Sequence, residues 1–202
     1  MIKTLFLVLG GLTCFFSSSE AGVFNIPQFV EYKSWALGFE PEATLSTTSA
    51  ASGTGVALNA KFTYGINPLS NLQVGFGPGS GNKGFRFGGA YSFDFIPDLA
   101  GQLGAGIAAQ AYYFSLRNAS GKVDTTAYPY IHKMFTSASG VKFDPFIAMP
   151  FGLSFASEIH SIWQLAMGSY VKTSEHVGVV GELGLNLKNT DTYLSFGVTY
   201  KD

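Results

Sequence analysis

The sequence predicts an all-β fold: an antiparallel, up-and-down transmembrane β-barrel of about ten strands. Three observations carry that expectation. First, period-2 alternation recurs along the chain. In FRFGGAYSFDF (85–95), Phe85, Phe87, Tyr91, Phe93 and Phe95 share one face, and Arg86, Gly88, Ala90, Ser92 and Asp94 share the other. Second, only 12% of residues are charged while 47% are hydrophobic, with 25 glycines and 15% aromatics. A soluble domain carries about 25% charge, so this surface suits lipid better than water. Third, no stretch reaches 18 consecutive apolar residues, which argues against a spanning helix.

The elements follow in order. Lys3 and the apolar run TLFLVLGGLTCFF (4–16) precede the small residues Ser19 and Ala21. The run is too short for a spanning helix of about 20 residues. Residues 1–21 therefore read as a secretory signal peptide cut after Ala21. A lipoprotein signal on Cys14 is disfavoured, because Gly11, Leu12 and Thr13 precede it. Residues 22–31 (GVFNIPQFVE) form a lead-in, and 32–202 form the barrel. Its strands are expected at 32–41, 56–65, 72–79, 85–95, 99–116, 127–136, 142–155, 159–172, 176–188 and 191–200. Glu40 and Pro41 are expected to end the first strand. Polar stretches at 42–55 and 117–126 are expected as loops. Asn-Pro in 66–71 marks a tight turn.

One face of each strand should meet lipid and the other the lumen. Opposite Leu103 and Ile107 lie Gln102, Gly104, Gly106, Ala108 and Gln110, which are small and uncharged. A crowded barrel interior needs such residues. The expected lumen lining is Asn59, Lys61, Arg86, Asp94, Gln102, Gln110, Glu182 and Asn186. The expected membrane-interface girdle is Tyr64, Phe85, Phe95, Tyr113, Tyr170, Tyr193 and Tyr200, because such rings suit headgroup depth.

Residues 127–155 fit least well. One parity sends His132 to lipid and the other sends Lys133, so a bulge near His132 would be needed to turn both inward. Pro145 and Pro150 each remove a ladder donor. If this hairpin does not span, eight strands remain.

The last segment, TYLSFGVTYKD, sets Leu194, Phe196, Val198 and Tyr200 on one face. It resembles the C-terminal assembly signal of bacterial outer-membrane barrels, although Lys201 and Asp202 follow the final aromatic. Together with the signal peptide and short turns, the chain resembles the small outer-membrane β-barrel proteins of Gram-negative bacteria. The resemblance implies location in the bacterial outer membrane, contact with its lipid, and recognition of strand 191–200 by the barrel-assembly machinery.

The expected role is a narrow pore for small solutes or a structural envelope component, without enzyme activity. Two alternatives are an enzyme acting on lipid A or another envelope substrate, and an adhesin using loop 42–55. Glu158 and His160 share a face near an outer loop and are the weak catalytic candidates. Ser161 points the other way, which spoils a simple triad. Three scattered histidines and no cysteine beyond Cys14 make no metal site, and no cofactor is expected. A net charge of −1 offers nothing to nucleic acid.

Overall fold

The computed structural model describes residues 30–46, 55–80, 83–116 and 121–202. The signal segment, nearly all of the lead-in and the centre of the 42–55 loop lie outside the described residues. The strands are β1 (Trp35–Ser46), β2 (Gly55–Asn67), β3 (Ser70–Pro78), β4 (Lys83–Ile96), β5 (Gly104–Leu116) and β6 (Lys122–His132). They continue with β7 (Phe135–Thr136), β8 (Lys142–Ala148), β9 (Phe151–Phe155), β10 (Ile159–Lys172), β11 (Val177–Lys188) and β12 (Thr192–Lys201).

From β1 to β6 and from β10 to β12 each strand pairs with its sequence neighbour in antiparallel fashion, and β12 returns to β1 from Ala36↔Lys201 to Ser46↔Thr192. That last ladder closes the sheet. β8 and β9 share one position in the ring, since both pair with β6 on one side and β10 on the other. β7 pairs only with β8, through Phe135↔Phe143 and Thr136↔Lys142, and lies outside the ring. The result is a closed barrel of ten positions, not eight.

The break between β8 and β9 falls at Met149 and Pro150, where the sequence places a proline. Pro150 is fully buried. Met149 N–H donates to Pro129 O and Gln164 N–H donates to Pro150 O, so neighbouring strands hold the break in place. His132 is the last residue of β6 and points inward with Tyr128 and Tyr130. Lys133 has already left the strand. The conflict over which of the two meets lipid disappears without a bulge.

Other boundaries differ from expectation for local reasons. β1 runs through Glu40 and Pro41 to Ser46. Its ladder to β12 lapses at Glu40 and Pro41, where proline has no N–H, and resumes at Glu42↔Ser195. Strand β6 starts at Lys122, so Val123, Thr125 and Thr126 of the expected loop are strand, as their β-branching favours. Residues 99–103 are a turn, not the start of β5. Gln102 N–H donates to Leu99 O, and Gly101 has φ +89°, a left-handed conformation that glycine adopts freely. At the same end, Val30 is buried and donates its N–H to Asn71 Oδ1 (3.2 Å). The chain therefore enters the first strand across the rim where it also ends.

Outward faces carry the large apolar side chains, including Phe39, Phe76, Phe87, Ile107, Ile159 and Phe196, all exposed. The inward faces alternate glycine with aromatics. Tyr193 lies over Gly184, Tyr130 over Gly106, Tyr112 over Gly88 and Tyr170 over Gly178. A β-carbon at any of these glycines would strike the ring. Gly181 faces outward, where an added carbon would meet only Phe196 at 3.4 Å. Replacing Gly184 by Ala should lower stability by about 1–3 kcal/mol, the usual cost of overpacking. Gly181→Ala should be near neutral. Urea midpoints of the two variants, folded in micelles, measure the difference.

Candidate functional site

Among the described residues, buried charges gather in the interior, which three layers occupy. In the half away from the termini, Glu42 of β1 accepts from Arg86 Nη2 of β4 (2.7 Å). Lys61 of β2 lies 2.6 Å from Glu40. Asn59 Nδ2 donates to Glu40 O (3.1 Å). All five of these side chains are buried. Ions taken from water so completely need partners of opposite charge, and these have them.

The middle layer is packed. Ala108, Tyr128, Tyr130, Phe146, Ala148, Ala166 and Tyr193 form one buried cluster inside the ring. The Tyr193 hydroxyl donates to Glu182 in a short hydrogen bond. Gln164 Nε2 donates to Asp191 O (2.8 Å). Tyr128 exposes 1% of its surface and Tyr193 exposes 0%. Side chains lining an aqueous bore would be wet, and these are dry.

At the termini end, His132 bridges two carboxylates. Its Nε2 lies 3.2 Å from Asp94 Oδ2 of β4, and its Nδ1 lies 3.1 Å from Asp144 Oδ1 of β8. A carboxylate accepts only, so both ring nitrogens donate and the imidazole carries both protons. Tyr130 Oη also donates to Asp94 (2.7 Å). Outside this group lies a vestibule of about 460 Å³, lined by Asp94, Asp98, His132, Lys133, Lys142, Asp144, Tyr170 and Lys201, among others.

Lys133 ties down the rim of the vestibule. Its ammonium donates to Asp98 Oδ1 (2.5 Å), Leu99 O (2.6 Å) and Gln102 O (2.8 Å). Met134 N–H donates to the other Asp98 oxygen (2.6 Å). Burial alone would push the Asp98 carboxyl up, but the bonds from Lys133 and Met134 outweigh it and hold it below its ordinary value.

Of the expected lining residues, Asn59, Lys61, Arg86, Asp94 and Glu182 point inward and are buried. Gln110 and Asn186 face inward and are half-buried. Gln102 does not reach the interior. It sits exposed in the 99–103 turn, where Nε2 donates to Pro97 O (2.8 Å). Of the expected girdle, Tyr64, Phe85, Phe95, Tyr113 and Tyr200 point outward near strand ends. Tyr113 packs against Phe85 and Phe87 there. Tyr170 and Tyr193 are corrected: both are buried inside the ring. Residues 194, 196, 198 and 200 take the outer face of β12, so Tyr193 must take the inner one. Sequence reasoning missed Glu40, Glu42, Tyr128, Tyr130 and Asp144. The signal for Glu40 and Glu42 was present, since two carboxylates two residues apart share a strand face.

Glu158 and His160 lie on an exposed edge, with His160 Nε2 3.7 Å from Glu158 Oε2. Ser154 faces His160 across the β9–β10 ladder, but no hydrogen bond joins them. Among the described residues, no three His, Cys, Asp or Glu side chains are placed to hold a metal ion.

No protein-family model matches the chain, and no curated protein matches it. Solved structures do. The chain is similar to the β domain of the Bordetella autotransporter Brka, at 13% identity and TM-score 0.53, over 84% of this chain and 98% of that one. It is also similar to an outer membrane channel from Pseudomonas putida F1, at 8% identity and TM-score 0.48, over 91% of this chain and 100% of that one. A de novo designed transmembrane β-barrel matches at 13% identity and TM-score 0.41, over 85% of this chain and 98% of that one. At such identities the likeness concerns fold alone. The chain has the closed β-barrel architecture seen in outer-membrane proteins.

The lowered Asp98 carboxyl fixes the sign of one pH effect. A group whose folded pKa lies below its unfolded value stabilises the fold above the unfolded pKa, and that contribution fades as pH falls through the folded one. The Met134 amide should therefore titrate in micelle NMR with a midpoint below 3.8, the ordinary aspartate value. Asp98→Asn should abolish the titration and leave the rim at its acid-state position at every pH.

Proposed function

We propose that this protein is an outer-membrane β-barrel whose bore is filled, acting as a structural envelope component rather than as a diffusion pore. The single observation that carries this reading is the dry middle layer, with Tyr128 and Tyr193 pointing inward and excluded from water. A ten-position ring lies just above the eight-strand size that side chains fill completely. Here the aromatic rings seated over glycines take up the added space.

Placement in lipid rests on the outer surface. Outward side chains from β1 to β12 are apolar, and a closed ring leaves no unpaired backbone edge within hydrocarbon. Placement in the bacterial outer membrane rests on the signal-like start of the sequence and on its alternating C-terminal strand. The same strand is the segment we assign to recognition by the barrel-assembly machinery. Lys201 follows the terminal aromatic without disturbing its face, because it points inward.

The test is electrical. Residues 22–202 refolded into planar bilayers should give quiet traces, and frequent discrete openings in the wild type would sink the proposal. Tyr193→Ala removes a ring from the middle layer and should convert the quiet barrel into one with measurable current. Circular dichroism checks that the variant keeps its sheet.

A further inference from the structure

We propose that residues 22–29 fold back across the mouth at the termini end and seat Phe24, Ile26 and Phe29 in its vestibule. Gly65 of β2 faces inward and stands opposite Asn71 of β3, which stands opposite Ser92 of β4; all three are buried. A β-carbon on Gly65 would strike the carbonyl groups of Val30 and Glu31. The chain at 30–31 therefore lies against the inner wall of the ring, where a glycine lets one backbone approach another. Val30 is buried there, and its N–H donates to Asn71 Oδ1 (3.2 Å). Lys33, at φ +67°, then turns the chain over the rim, and Gly65 N–H donates to Ser34 O (3.1 Å) before β1 begins at Trp35. Followed towards its start, the chain thus passes from the rim into the mouth, so the segment upstream of Val30 sets out from inside it.

Two further observations place this entry beside the vestibule and leave room for more chain. Glu31 attracts Lys201, which lines the vestibule. Asn71 is 1% exposed, and its Nδ2 has no hydrogen-bond partner among the described residues. A buried donor left without an acceptor is costly. The same amide already holds the Val30 N–H, and a backbone carbonyl just upstream is the acceptor within its reach. Pro68 and Leu69, at the start of the strand that carries Asn71, form the adjoining vestibule wall.

The segment GVFNIPQF (22–29) suits the space. It carries no charged side chain and four large apolar ones, Val23, Phe24, Ile26 and Phe29. Pro68, Leu69, Pro97, Leu99 and Met134 offer them an apolar surface. Asp94 and Asp144 already face His132, and Asp98 holds Lys133. An uncharged occupant therefore brings no unpaired ion against them. A vestibule of about 460 Å³ takes the apolar side chains rather than the whole segment, whose backbone lies across the mouth. A segment led into water from the same point would leave those side chains wet. The packed middle layer closes the bore whether or not the vestibule is filled, so conductance reads that layer and not this placement.

Cysteine cross-linking tests the placement. The chain is expressed with its leader, recovered from the membrane and held in micelles. It carries Cys14→Ser, so that the introduced cysteines are its only ones. Ile26→Cys is combined either with Met134→Cys, in the vestibule, or with Glu175→Cys, exposed at the same rim but outside it. Under mild oxidation the vestibule pair should close at least about tenfold faster, because seating one thiol beside the other raises their effective concentration. Equal rates, or a faster Glu175 pair, overturn the proposal. If neither pair closes, labelling of Met134→Cys alone by a bulky, membrane-impermeant maleimide decides. Phe24→Ser, Ile26→Ser and Phe29→Ser together should speed that labelling at least about tenfold, since thiol rates follow access. These three positions lie outside the ring, so circular dichroism should show the same sheet. Labelling that the three substitutions leave unchanged overturns the proposal.

Discussion

The ladder between β1 and β12 is the constraint on which the rest of the structure depends. It pairs Ala36 with Lys201 and Ser46 with Thr192, and so turns a ten-position sheet into a ring. Without it, two long strands would present unpaired N–H and C=O groups along their whole length. In hydrocarbon each such group costs several kcal/mol, and in water the same edges recruit other chains. Closure also fixes what the inside must contain. Once the ring is complete, every second residue of every strand points into a bore of set width.

That bore sets a volume problem, which glycine and tyrosine solve together. A glycine on one strand leaves a hollow that the ring of a neighbouring tyrosine occupies, as with Gly184 under Tyr193 and Gly106 under Tyr130. The rings fill these hollows and still bring their hydroxyls to partners in the interior. There they meet Glu182 and Asp94, so the polar ends are satisfied in the dry interior. The inward glycines and the inward tyrosines are therefore one feature of this sequence rather than two. Pro150 obeys the same economy. It splits β8 from β9 at a position where adjacent strands bond to Met149 and Pro150 across the break.

The faces of the strands were legible in the sequence because period 2 is a direct consequence of the pleat. Arg86 and Asp94 read correctly as inward from the alternation of 85–95 alone. Boundaries were less legible. Pro41 looked like a terminator, yet the strand continues because a proline at an interrupted rung sacrifices no bond. Gln102 kept the parity of the lumen face, but parity has no meaning past the point where Gly101 turns the chain. Tyr170 and Tyr193 were misplaced because tyrosine serves both headgroup interfaces and barrel interiors, and composition does not separate the two. The charged sites were the least legible. Nothing in a single strand shows that His132 will stand between Asp94 and Asp144, which lie 38 and 12 residues away in sequence.

The buried ion pairs answer a mechanical need more than an energetic one. Buried pairs bring little net stability over apolar residues of equal volume, since desolvation offsets attraction. Two of them here, however, skip strands. Glu42 and Arg86 join β1 to β4 across two intervening strands, and His132 joins β6 to β4 across one, while Lys61–Glu40 and His132–Asp144 link paired neighbours. Neighbouring strands are already joined by their hydrogen-bonded ladders. A ring held only by ladders between neighbours resists being torn but flattens easily, because each ladder acts as a hinge. Links that skip strands oppose flattening. The Glu42–Arg86 and His132 links lie in different halves of the barrel, with the packed aromatic layer between them, so the cross-section is held at three levels along its axis.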